Sequence, residues 1–126
     1  MGKELRKAQR FVEIGRVDAP DFCLFSGVLI DISLTGCKVK FPTNLEIDCE
    51  CEYELKVHCA RKEFSEPFSL IANVSWFKNS DSACEVGFNI IRSPSTREFE
   101  KLIKSLEEEK LALDEENALL ENLKNN

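Results

Sequence analysis

The chain has 126 residues with a formal net charge of −6, enough for one domain with a real core and too few for two of ordinary size. An acidic chain repels polyanions, which argues against general DNA or RNA binding, and no apolar run is long enough to span a membrane. The N-terminus MGKELRKAQR lacks the apolar stretch of a secretion signal, so cytoplasmic residence is expected, with the six cysteines as free thiols.

In chain order, residues 1–20 form a basic, mostly polar arm. It carries Lys3, Arg6, Lys7, Arg10 and Arg16 against only Glu4 and Glu13 in its first sixteen positions, and it ends in the turn signal Asp18-Ala19-Pro20-Asp21. Residues 21–94 read as strands. Strand character runs over 22–33, 36–41, 68–78 and 83–91, and is clearest in IDCECEYELKVHC, residues 47–59. There Ile47, Cys49, Cys51, Tyr53, Leu55, Val57 and Cys59 alternate with Asp48, Glu50, Glu52, Glu54, Lys56 and His58, predicting one buried and one wet face. That pattern also sets aside a zinc reading, since it points the cysteines inward and His58 outward. Trp76 and Phe88 are expected in the apolar core. Short strands joined this closely predict an antiparallel barrel or sandwich.

Residues 95–126 read as one long helix. Ser95 or Thr96 is the expected cap, with Glu98 as its third-residue partner if Ser95 takes the role. Phe99, Leu106, Leu113 and Leu120 recur every seven residues. Taken as the d positions of a heptad, they place Ile103, Lys110, Asn117 and Lys124 at a, and leucine at d with a lone Asn at a is the pattern of a parallel two-stranded coiled coil. Leu102, Leu111, Leu119 and Leu123 lie off this seam, where they widen the apolar face or pack on the barrel. A helix of about 28 residues is about 42 Å long, so part of it projects and wants a partner. Phe99, Ile103, Leu106, Leu113, Asn117 and Leu120 are therefore the expected self-association residues, leaving dimer, trimer and tetramer open.

Two short motifs carry the chemistry. Arg6-Lys7-Ala8-Gln9-Arg10 is an R-x-x-x-R pair, and Asp31-Ile32-Ser33-Leu34-Thr35-Gly36 is a D-x-S-x-x-G at the end of a strand. Alone, the arginines are ordinary solvated charges and Asp31 and Ser33 an ordinary wet strand face. Together and in this order, with the strand CKVKF and the later VSWF…EVGFNI segment, the sequence resembles the PilZ domain family over residues from about 5 to 92. The resemblance implies a six-stranded antiparallel β-barrel with a flanking helix, acting as a receptor for cyclic di-GMP and not as an enzyme. It also implies Arg6, Arg10, Asp31, Ser33 and Gly36 as the ligand-binding residues, with no metal and no cofactor beyond the ligand.

The chemistry suits that implication. Guanidinium groups fork onto phosphate oxygens and onto guanine O6 and N7, and they stack on purine faces. A carboxylate accepts from guanine N1–H and N2–H. Leu5, in place of a third arginine before Arg6, favours one ligand per site. The expected mechanism is ordering of the basic arm over the ligand, signalled to a downstream protein. The alternative is a PilZ-like interaction module that oligomerises without binding nucleotide. A barrel for single-stranded nucleic acid would need a broad basic groove with aromatics, which so acidic a chain does not offer.

Overall fold

The computed structural model describes residues 9–21, 23–61, 64 and 66–124. It contains six strands and one helix: β1 (Phe11–Asp18), β2 (Gly27–Ile32), β3 (Gly36–Phe41), β4 (Glu52–Cys59), β5 (Phe68–Ser80), β6 (Ala83–Arg92) and α1 (Thr96–Lys124). All pairings are antiparallel, and the strands close into a barrel in the order β1-β2-β3-β6-β5-β4. The expected six-stranded barrel with a long C-terminal helix is the fold observed.

Period-two sequence builds the interior. Cys37, Val39 and Phe41 of β3, Leu55 and Val57 of β4, and Val86 and Phe88 of β6 are almost wholly buried, while Lys40 and Lys56 between them stay in water. The first turns of the helix pack against the barrel. Phe99, Leu102, Ile103 and Leu106 are buried, and Phe99 stacks on Phe68 with ring centroids 5.9 Å apart. The start of α1 is fastened to β5 by hydroxyls. Ser93 Oγ donates to Ser69 O at 2.6 Å, and Ser95 Oγ accepts from Ser69 N at 3.2 Å. Ser95 thus uses its side chain to hold a strand, while its carbonyl accepts the Phe99 amide at 3.0 Å.

The structure corrects several local expectations. The N-terminal segment does not remain an arm as far as residue 20, because Phe11–Asp18 is the first barrel strand and pairs with both β2 and β4. Burial still alternates there, with Phe11, Glu13 and Val17 buried and Val12 and Arg16 exposed, but the inward positions include Glu13 and Gly15, so the segment reads as polar and irregular; a bulge lies between Val12 and Gly15. Strand β4 begins at Glu52 instead of Ile47. The Asp48 side chain accepts the Glu50 amide at 2.8 Å, a local turn that leaves Cys49 and Cys51 exposed instead of inward. Phe88 is in the core as expected, but Trp76 is 43% exposed, because a bulge between Val74 and Trp76 moves it to the outer face.

Three of the six residues expected to mediate self-association serve another purpose. Phe99, Ile103 and Leu106 are buried within the chain's own core, since the first turns of α1 lie against the barrel. Every residue from 107 to 123 is exposed, including Leu113, Asn117 and Leu120.

Candidate functional site

The β2–β3 hairpin organises the site. Its turn is made by Ser33, which is 1% exposed. The Ser33 hydroxyl oxygen accepts the Thr35 amide at 3.2 Å and the Gly36 amide at 3.1 Å, and the Ser33 amide donates to Gly36 O at 2.8 Å. The Thr35 carbonyl accepts from the Ile90 amide at 2.9 Å, which pins the turn to β6. Ser33 therefore shapes the turn instead of presenting a free hydroxyl.

Gly36 is required for space, since no described residue has a positive φ. A Cβ at this position would stand 2.6 Å from the Phe88 carbonyl oxygen and 3.4 Å from Arg10 Nη2. The backbone of β3, the backbone of β6 and the Arg10 guanidinium all converge here.

Arg10 stands immediately before β1, and its Nη1 donates to Asp31 Oδ1 at 2.6 Å. A bulge between Leu29 and Asp31 turns the carboxylate outward to meet it. The Arg10 side chain is 54% exposed and Asp31 18%, so the pair is solvated and contributes only about 0–1 kcal/mol. Beneath it, burial pushes the Cys37 thiol up to about 12, with the Asp31 charge adding to the effect and Arg10 opposing it. Arg6 lies outside the described residues.

Strand register extends the platform beyond the two motifs. Val12 pairs with Asp31, Asp31 with Lys38, Lys38 with Gly87, and Gly87 with Trp76. This row runs round the outer face of the barrel. The Trp76 indole lies over Gly87 so closely that any Cβ there would collide with the ring. Sequence reasoning passed over Lys38 and assigned Trp76 to the core. The outward alternation of Lys38 in CKVKF was a readable signal, whereas the bulge that exposes Trp76 was not.

On the other side of Arg10 a cleft of about 360 Å³ opens between the start of β1 and the helix, with Val12, Arg61, Leu113 and Asn117 among its walls. Arg61 forms its charged floor. Its Nε donates to Glu13 Oε2 at 2.6 Å and its Nη2 to Glu13 Oε1 at 3.0 Å, while Nη2 also reaches Glu109 Oε1 at 2.9 Å and Nη1 bonds Glu109 Oε2. These bonds hold the Glu109 carboxyl below the usual glutamate range.

The site thus combines an exposed arginine, a carboxylate and a crowded glycine turn at one rim of a small barrel, with a lysine and an exposed tryptophan further round the wall on the same cross-strand row. The PilZ domain family model matches residues 4–108. This chain belongs to the PilZ domain family, a cyclic di-GMP-binding family of receptor modules. The solved structure of the Bacillus subtilis inhibitor of motility (MotI/DgrA) shares the fold, with a TM-score of 0.68 and 14% identity over 85% of this chain and 51% of that one. The chain spans about half the length of that neighbour. Among curated proteins, none matches this sequence.

Proposed function

We propose that this protein is a bacterial cytoplasmic receptor for cyclic di-GMP that signals to a partner protein and catalyses no reaction. The observation that carries the reading is the meeting of Arg10, Asp31 and Gly36 at one point of the barrel rim. The Arg10–Asp31 pair is weak enough for a ligand to separate. Arg10 then takes a phosphate or a guanine edge or stacks on a purine, and Asp31 accepts from guanine N1–H and N2–H. Gly36 lets the ligand approach the backbone, and Ser33 keeps the turn in shape. Arg6 supplies the second guanidinium in this reading. Lys38 and Trp76, next along the cross-strand row, offer a further cation and a stacking face to the same molecule.

One cyclic di-GMP per chain is expected. Among the described residues no helix is long and apolar enough to cross a membrane. The exposed stretch of α1 with Leu113, Asn117 and Leu120 is proposed to pair with a second copy or to dock the downstream protein.

Calorimetric titration with cyclic di-GMP tests the reading. Saturable binding with one ligand per chain is expected in the wild type and is lost in Arg10→Ala. Absence of binding in the wild type would leave the interaction-module reading in its place.

A further inference from the structure

The Arg61 cluster lies outside both motifs, yet it joins three parts of the molecule. Glu13 sits on β1 three residues after Arg10. Arg61 follows β4. Glu109 lies on α1, one turn beyond the last buried helical residue, Leu106. Glu13 is 8% exposed and takes two hydrogen bonds from Arg61. A carboxylate so buried keeps its cation, because breaking such a pair leaves an uncompensated charge away from water. Glu109 is 56% exposed, so water can replace Arg61 there at little cost. The shared guanidinium therefore has one firm partner on the barrel and one releasable partner on the helix. Among the described residues, Glu109 is the last helical side chain bonded to the barrel.

The releasable contact borders the ligand site. Arg10 and Val12 form one wall of the cleft, and Leu113, Asp114 and Asn117 form the other. Arg10 therefore borders both the Asp31 carboxylate and the cleft, so that a group which displaces it from Asp31 acts on a wall the helix shares. The bulge between Val12 and Gly15 marks a weak point in the β1–β2 ladder, where the start of β1 can shift without unpairing the rest.

We propose that Arg61 is a positioning residue that couples the Arg10 site to the C-terminal helix: cyclic di-GMP binding and the Arg61–Glu109 contact oppose one another, so that the ligand releases the helix beyond Leu106. The inference rests on the receptor reading given above and adds its means of output. Coupling is reciprocal, so weakening the Arg61–Glu109 contact must tighten ligand binding even though Glu109 touches no ligand.

The test uses the full chain and Glu109→Gln, a change at a half-exposed position that leaves the Glu13–Arg61 pair intact. Cyclic di-GMP affinity is measured by calorimetry, and amide hydrogen exchange over residues 107–120 by mass spectrometry. In the wild type, ligand is expected to speed exchange in this segment. Glu109→Gln is expected to bind at least about fivefold more tightly, with exchange already fast and insensitive to ligand. A purely structural role for Glu109 predicts unchanged or weaker binding, and that result overturns the coupling while leaving the receptor reading intact. Ligand binding that leaves helix exchange unchanged, or slows it, overturns the coupling too. A wild type that does not bind cyclic di-GMP removes both proposals.

Discussion

Arg10 and Asp31, 21 positions apart in the chain, meet at 2.6 Å on the barrel rim, so the two halves of the proposed ligand motif neutralise one another when nothing is bound. The pair is partly in water and adds little to stability. Arg10→Ala and Asp31→Asn should each shift the unfolding free energy by no more than about 1 kcal/mol. Both should weaken cyclic di-GMP binding by at least about tenfold, roughly one charge-assisted hydrogen bond. Urea unfolding set beside a ligand titration separates these effects, and a large stability loss would mean that the arginine is a structural part.

Ser33 and Gly36 act through the turn. Ser33→Ala removes the acceptor for two backbone amides and should cost about 1–3 kcal/mol, the penalty for buried donors left without partners. Gly36→Ala forces a methyl group against the Phe88 carbonyl, which is backbone and cannot rotate aside. A cost of about 1–3 kcal/mol is expected, together with loss of binding, because β3 must move away from β6 beneath Arg10. Measuring the two variants by urea denaturation and calorimetry tests this account. A stable Gly36→Ala protein with normal binding would refute the crowding argument.

Trp76 is the single tryptophan of the chain, and it lies three cross-strand steps from Asp31. Its emission should change on titration with cyclic di-GMP in the wild type and stay constant in Arg10→Ala. Gly87→Ala should shift the emission to the red without ligand, because the added methyl lifts the indole into water. Steady-state fluorescence reads both effects.

The helix has two parts with different expected behaviour. Ending the chain after Lys110 keeps Phe99, Leu102, Ile103, Leu106 and Glu109, so the barrel should stay folded, while the self-association proposed for the exposed helix should be lost. Ending it after Pro94 removes four buried side chains, at a combined upper bound of about 6–12 kcal/mol, comparable with the whole stability of a domain. Light scattering and thermal unfolding on the three chain lengths distinguish the roles. An unchanged oligomeric state after the shorter cut would assign assembly to the barrel.

The Arg61–Glu109 contact should depend on acidity in a defined direction. Hydrogen bonds from Arg61 lower the Glu109 carboxyl from its ordinary value of 4.5. A lowered folded value means that the contact stabilises fully above pH 4.5 and is lost as pH falls through the depressed value. The stability difference between wild type and Glu109→Gln should therefore be constant at neutral pH and shrink in acid. Urea unfolding at a series of pH values measures it.

The fold was legible because alternation in CKVKF and in Tyr53–Cys59 states the buried face directly. The long helix was equally plain. Strand β1 was hidden, since two of its inward positions are taken by Glu13 and Gly15 and not by apolar side chains, so the two-residue rhythm of burial has no apolar signal in the sequence. The site was legible as two motifs but not as an arrangement. Nothing local says that Ser33 spends its hydroxyl on its own turn, or that a bulge brings Trp76 to the outer face. The Arg61 cluster was unreadable for a deeper reason, because Glu13, Arg61 and Glu109 are brought together only when the barrel closes and the helix crosses it. Heptad spacing also misled at Phe99, Ile103 and Leu106. A stripe that recurs every seven residues serves a neighbouring barrel as well as a neighbouring helix, and the spacing does not distinguish them.

The row from Val12 through Asp31, Lys38 and Gly87 to Trp76 has one more implication. Its members sit on hydrogen-bonded strands of a closed cylinder, so their separations are fixed at about 4.8 Å a step, about 14 Å from Asp31 to Trp76 measured round the barrel wall and less in a straight line because the wall curves. Such a surface works as a ruler. A guest that is too short cannot touch both marks, and the scaffold cannot stretch to help it, so size alone screens what this barrel will answer to.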